Sequence, residues 1–230
     1  MAAESGWRIA LLYVLHRVLQ AARIGRVLPY ALVAQPIGRG AYAAVRDDPA
    51  TVVRLAAPGD AVAAQFPRPE AVNRARWSRG AQCHVCTVKE QFAGTIWIQR
   101  GRYEEDEARC EYLLAAPERS VWDFDVYVEP RWRLGRCLGR LWKAVDAQLA
   151  AQGVQWSFSR ISLFNPASLN SHARLGAVRV GHAVFVVLGP LQLALASVAP
   201  RVHLSWRPRG RPRYHLAPPG LVPPTRDPAA

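Results

Sequence analysis

Two carboxylates two residues apart, Asp123 and Asp125, fall in the segment 120–128, where Trp122, Phe124 and Val126 take the intervening apolar positions. On an extended strand that alternation predicts both carboxyls on one face, where a carboxylate can act as a general base. A few residues later Val128 leads through Arg133, Leu134, Gly135 and Arg136 into a 3.6-residue apolar period that starts at Cys137. Backbone N–H groups at such a helix start, with the positive end of the helix dipole, cradle anions. Arg133 and Arg136 add planar forks suited to phosphate oxygens. On a third segment lies His172, a side chain that exchanges protons near neutrality. Acyl transfer to an amine needs parts of this kind: a neutral acceptor, a stabilised oxyanion, and a leaving group that is protonated or tolerated.

The surrounding pattern predicts the elements that hold these groups. In helix 137–152, Leu138, Leu141, Trp142, Val145 and Leu149 share a face, Arg140, Lys143 and Asp146 point away, and Gly153 stops it. In the next strand Val154, Trp156 and Phe158 alternate with polar residues, whereas Ile161 and Leu163 have the opposite parity, which predicts a bulge or bend near Ser159 and Arg160. Asn165 is placed to cap a helix with Pro166 at its first position, His172 nearly two turns along, and Gly176 just past its end. Upstream, a strand over 51–55 leads to Asp60 as a cap, two short helices over 61–66 and 69–77, a hairpin over 81–88 and 93–100, and strands over 109–114 and 120–128. Downstream, 184–188 and 191–195 read as buried strands joined by Gly189 and Pro190.

Two patterns, Asn165-x-x-Ser168-x-x-x-His172-x-x-x-Gly176-Ala177 and Val128-x-Pro130-x-Trp132-Arg133, resemble motifs of the GCN5-related N-acetyltransferases (GNAT family). The family has Asn-x-x-Ala/Ser-x-x-x-Tyr-x-x-x-Gly-Phe after its fifth strand, and Val-x-Pro-x-Tyr-Arg-Gly-x-Gly-x-Gly on its pyrophosphate loop. Here Arg136 and Leu138 occupy the last two glycine positions of that loop, and Gly135 and Gly139 each stand one residue off. The resemblance covers roughly 51–199. It implies an α+β fold with a mixed, mostly antiparallel central sheet flanked by helices. Residues 1–50 would be an extra N-terminal helix and strand, 51–205 the acyltransferase domain, and 206–230 an irregular tail rich in proline and arginine.

By the same resemblance acetyl-CoA would be the acyl donor, with no metal. It would be held at Val126, Val128, Arg133, Leu134, Gly135, Arg136, Cys137, Leu138, Gly139 and Asn165. His172, in the place of the family's Tyr, would protonate the leaving thiolate, and Asp125 or Asp123 would serve as base. The acceptor would be a small-molecule or peptide amine attacking directly. The alternative is a non-catalytic member of the fold that binds cofactor or a partner without turnover.

Composition narrows the remaining classes. The net charge is +13, yet Lys89 and Lys143 are the only lysines, so arginine and alanine enrichment reads as coding bias and nucleic acid is not the expected partner. Cys83 and Cys86 have metal-like spacing without a second pair, and read as strand thiols. No signal peptide or spanning segment is read, and a cytoplasmic location is expected. Residues 7–24 form an amphipathic pattern with Trp7, Leu11, Val14, Leu15, Val18, Leu19 and Ala22 on one face. Core packing is its plain reading, and peripheral membrane or partner contact is the other. A short strand is expected over 30–36.

Overall fold

The structure, a computed structural model, describes residues 2–133, 136–207 and 210–221. In chain order it runs α1 (Ala2–Ala21), β1 (Gly25–Pro36), β2 (Thr51–Ala56), a 3-10 turn (Ala61–Gln65), α2 (Glu70–Ser78), β3 (Gln82–Val88) and β4 (Gln91–Arg100). Then come β5 (Arg102–Glu104), β6 (Glu111–Leu114), β7 (Ser120–Val128), α3 (Cys137–Ala151), β8 (Trp156–Ser162) and α4 (Pro166–Arg174). The chain closes with β9 (Val178–Leu188), β10 (Leu191–Ala196), β11 (Val202–Ser205) and β12 (Arg213–Leu216). The fold is α+β, with a mostly antiparallel sheet flanked by helices; from β2 to β10 the expected elements occur in the expected order, with β5 added and β6 placed in a separate sheet, β12-β6-β5.

Two compact units share the chain: one takes Met1–Gln35, Arg102–Ala116 and Ser159–Ala230, the other Pro36–Gly101 and Pro117–Phe158. They cut across the expected boundaries at 50 and 205. The change of unit within β8 falls between Phe158 and Ser159, where the apolar parity of the sequence switches.

In the second unit the strands lie in the order β8-β7-β4-β3-β2. β7 and β8 pair in parallel, Trp122 opposite Phe158, and the other pairs are antiparallel. Lys89 and Glu90 turn the β3–β4 hairpin with φ of 49° and 65°, the left-handed conformation that suits the twist of a tight hairpin. Cys83, Val85, Phe92 and Trp97 form its core with Phe66. α3 buries Leu141, Trp142, Val145 and Leu149 as expected, but Leu138 is exposed and Asp146 is buried. The reason is the segment after β1. Its Gly38 N–H donates to Asp146 Oδ1 at 3.1 Å, Val45 packs over Gly139, and Asp47 and Asp48 pair with Lys143 and Arg140. The supposedly solvated side of α3 is therefore covered.

In the first unit the order is β11-β10-β9-β1-β8. β1 is twelve residues long and buried along most of its length, with β9 antiparallel on one side, rather than a short accessory strand. Its run Val27–Ala34 lacks polar alternation, as a strand covered on both faces requires. The tail also departs from expectation. Residues 213–216 form β12, parallel to β6, with Tyr214 and Leu216 buried and the Tyr214 ring 6.3 Å from Phe185. Two apolar residues two apart suffice when an existing strand offers its open edge. Among the described residues no helix is long and apolar enough to cross a membrane.

Candidate functional site

β7 carries the first half of the site. Phe124 faces Trp97 and Tyr127 faces Thr95, so Asp125 and Val126 together oppose the single residue Ile96. This is a β-bulge, and Asp125 sits in it with φ of 47°. Aspartate tolerates that left-handed conformation better than most residues. The bulge overturns the expected alternation: Asp123 and Asp125 do not share a face. Asp123 is buried and accepts a hydrogen bond from Ser157 Oγ at 2.6 Å.

Asp125 is held by two arginines. Arg76 Nη1 donates to it at 2.5 Å, and Arg68 donates through Nε and Nη2 at 3.0–3.2 Å. Burial alone would raise the Asp125 pKa, but the hydrogen bonds and charges of Arg68 and Arg76 outweigh it and hold the carboxyl below its ordinary value. Arg76 is itself buried, stacked over Trp97 and Phe124 at 5.2 and 5.1 Å. A carboxylate so committed is a weak proton acceptor. It fixes the bulge instead. Arg68 and Arg76 were not legible as partners, because only the fold brings α2 and the turn before it to β7.

Beyond the bulge, Glu129 N–H reaches Ala93 O, one 3-10 turn spans Pro130–Trp132, and Arg133 Nε donates to Val128 O at 2.9 Å. Leu134 and Gly135, both expected to contact cofactor, lie outside the described residues. Arg136 occupies the cap position of α3 and makes no side-chain cap bond, and the first turn contains no acid. This helix start therefore supplies no negative group of its own to its N–H groups.

Two further expectations shift. Cys137 turns its thiol inward, with Sγ 3.6 Å from Cys86 Sγ and 3.7 Å from Ala93 O, so only its backbone faces the helix start. A Cβ on Gly139 would come within 3.2 Å of Val45 Cγ2, so this glycine serves close packing of chain on helix. Leu138 is exposed at the same turn.

Still within the second unit, the 3-10 turn and α2 border a cavity of about 920 Å³. Asp60, Phe66, Arg68, Glu70, Arg74 and Trp77 are among its walls. Glu70 pairs with Arg74 at 2.8 Å, Asp60 caps the turn and pairs with Arg54, and Trp77 Nε1 is buried with no hydrogen-bond partner.

The remaining two expected residues belong to the first unit. Asn165 accepts from Ser168 N–H at 3.0 Å, the predicted cap, and Gly176 ends α4 with φ of 81°. The α4 start is thus closed by its own side chain. His172 Nδ1 lies 3.0 Å from Gln35 Oε1, and burial lowers its pKa. A carbonyl oxygen only accepts, so Nδ1 carries the hydrogen and Nε2 presents a lone pair. That tautomer accepts a proton at Nε2 and does not donate one there, the reverse of the expected acid. Gln35 was missed because β1 fell outside the resemblance. Its signal was a single amide between Ala34 and Pro36 in an apolar run. The site residues thus divide, with Asp123, Asp125, Val126, Val128, Arg133, Arg136, Cys137, Leu138 and Gly139 in one unit, and Asn165 and His172 in the other.

All four cysteines are buried free thiols. Among the described residues no group of three or more His, Cys, Asp or Glu side chains is arranged to hold a metal ion.

No family model matches this chain, and no curated protein matches it. Solved structures do. A conserved protein of unknown function from Staphylococcus epidermidis is 12% identical with a TM-score of 0.50, covering 76% of this chain and 66% of its own. A protein from Novosphingobium aromaticivorans assigned to the GNAT family of acetyltransferases is 18% identical with a TM-score of 0.45, covering 69% and 63%. An acetyltransferase-like protein from Salmonella typhimurium, solved with its cofactor acetyl-CoA, is 17% identical with a TM-score of 0.40, covering 55% and 79%. This chain spans less than two thirds of the length of the first two, and at such identities the likeness is one of fold alone.

Proposed function

We propose that this chain is an N-acyltransferase that takes an acetyl group from acetyl-CoA and passes it to a primary amine by direct attack. The observation that carries the reading is the start of α3: arginine-led, without a side-chain cap and free of acid, one 3-10 turn beyond a bulged strand. Its N–H groups and Arg136 would meet the pyrophosphate, while the backbone at Val126 and Val128 would meet the thioester. Anion binding at a helix start needs no glycine if backbone access is kept, and arginine adds direct phosphate contacts.

In the transfer the amine nitrogen bonds to the carbonyl carbon, the carbon–sulfur bond breaks, and one proton leaves nitrogen as one is gained by the thiolate. His172, with a basic Nε2, is the residue we assign to the proton leaving nitrogen. Asp125 is a positioning residue that acts through the bulge.

A second reading, binding without turnover, is favoured by one fact: Asp125 is neutralised by Arg68 and Arg76. Thiol release from acetyl-CoA with a panel of polyamines, amino sugars and peptides separates the two. Amine-dependent release supports transfer. Saturable acetyl-CoA binding without any release supports the second reading, and absence of binding contradicts both.

A further inference from the structure

α1 is apolar on both sides, and only one side is covered. Toward the protein, Leu19 is buried, His16 Nδ1 accepts from Val27 N–H at 3.2 Å, and the Tyr13 and His16 rings lie 5.3 and 5.4 Å from Phe164. Trp7, Leu11, Val14, Leu15 and Val18 recur at helical spacing on the opposite side, and they are 60%, 60%, 57%, 41% and 57% exposed. The expectation that this stripe packs in the core is overturned. A helix apolar all round finds water a poor neighbour on its second face.

A second open face in the same unit has the same character. Val202 and Leu204 alternate on β11, opposite Leu195 and Leu193 of β10, which stand opposite Val184 and Val186 of β9. Strand pairing puts all six on one face, and Val202, Leu204 and Leu195 are 64%, 53% and 43% exposed. The other face carries Phe185, Ala194 and Ser205, which are buried.

Charge identifies the occupant. Between residues 5 and 221, every Asp and Glu of this unit lies within Arg102–Ala116: Glu104, Glu105, Asp106, Glu107 and Glu111. Arg26, Arg160, Arg211 and Arg213 bond to that segment. Arg8 and Arg17 stand some 100° to either side of the α1 stripe by helical geometry, and Arg17, like Arg201 beside β11, has no carboxylate partner among the described residues. Apart from Glu4 in the first turn of α1, the charged residues beside these apolar faces are arginines, which fits an anionic surface with an apolar interior. A second copy would set arginine against arginine, and an acidic protein would leave the apolar stripe unused. We propose that α1, aided by the open face of β9–β11, seats this protein on anionic phospholipid bilayers as a peripheral contact. Trp7 and the leucines would enter the acyl boundary, and the arginines would reach the headgroups.

The test is sedimentation of the full chain with phosphatidylcholine vesicles, with and without phosphatidylserine. The account expects capture by serine-containing vesicles, at least tenfold weaker capture by phosphatidylcholine alone, and loss at high salt. Leu11→Glu with Val14→Glu should abolish capture. Arg8→Glu with Arg17→Glu, which alters no buried residue though Arg8 lies over the exposed Trp7 ring at 5.4 Å, should lower vesicle affinity about tenfold or more, from roughly 1 kcal/mol per basic residue at the surface. Both should keep the wild-type melting temperature. If the apolar pair fails to fold, the arginine pair decides. No capture of wild type, or undiminished capture of the arginine pair, overturns the proposal. So does a dimer in ultracentrifugation that dissociates on Leu11→Glu, since the face would then join two copies.

Discussion

α3 and α4 each follow a strand of the candidate site in the chain, α3 with a 3-10 turn between, and they start in opposite ways. At α4, Asn165 caps the first turn and Pro166 removes one donor, so the helix start is complete in itself. At α3, Arg136 stands in the cap position without a cap bond, and no acid follows. Side chains show the reverse. Around β7 the charged groups are satisfied, Asp125 by Arg68 and Arg76, whereas His172 on α4 bonds Gln35 through Nδ1 alone. One region leaves backbone N–H groups of a helix start without a side-chain cap, the other leaves one ring nitrogen of a half-buried histidine outside its bond to Gln35. A motif alone shows neither, because capping and pairing depend on what the fold brings near.

The largest effect expected is on the clamp. Asp125→Asn would remove the carboxylate charge that the buried Arg76 shares with Arg68, and should cost about 3–5 kcal/mol in urea unfolding. A loss under about 1 kcal/mol would show that the bulge does not depend on the pair.

Next comes the acid response, where each region contains a histidine disfavoured as a cation. His84 on β3 is buried, with Nε2 unpartnered, and its pKa is lowered to about 4 by burial. A folded pKa below the ordinary 6.5 contributes stability above that value, and the contribution is lost as pH falls toward about 4. For a shift of this size the loss is about 3 kcal/mol. His172 has the same sign. His84→Gln should flatten the acid limb of stability between pH 6.5 and 4 more than His172→Gln does. Equal slopes in both variants would contradict the burial argument.

His172→Ala should lower kcat about tenfold or more at constant cofactor affinity, as is common for a lost general base. His172→Tyr should not restore it, because a phenol in that place donates. The wild-type rate should fall as pH drops through the His172 pKa, which burial holds below 6.5. Rescue by Tyr would return the residue to an acid role.

Smaller, and opposite in sign at the two helices, are the caps. Asn165→Ala should destabilise by about 1 kcal/mol, whereas Arg136→Asp should stabilise the free protein by up to about 1 kcal/mol by supplying the missing cap. Melting curves of both variants check the signs.

Much of this was legible in the sequence. Asn165, Pro166 and Gly176 give α4 its bounds because capping is local chemistry, and the β7 bounds follow from its apolar alternation. The bulge at Asp125 was not legible, since alternation continues through it and only the partner strand reveals the extra residue. Strand β12 was missed because four residues carry no period of their own. β1 was read short, its central place depending on β9. The exposed stripe of α1 has the same composition as a core-facing one, and only accessibility separates them. Asp146 reads as solvated until Gly38 is found beside it.

The start of α3 is tested most directly by titrating acetyl-CoA into the wild type and Arg136→Asp by calorimetry, with their melting temperatures measured alongside. The account predicts saturable binding to the wild type and at least tenfold weaker binding to the variant, even though the free variant melts no lower. Equal affinity in the two proteins, or no binding to the wild type, would contradict it.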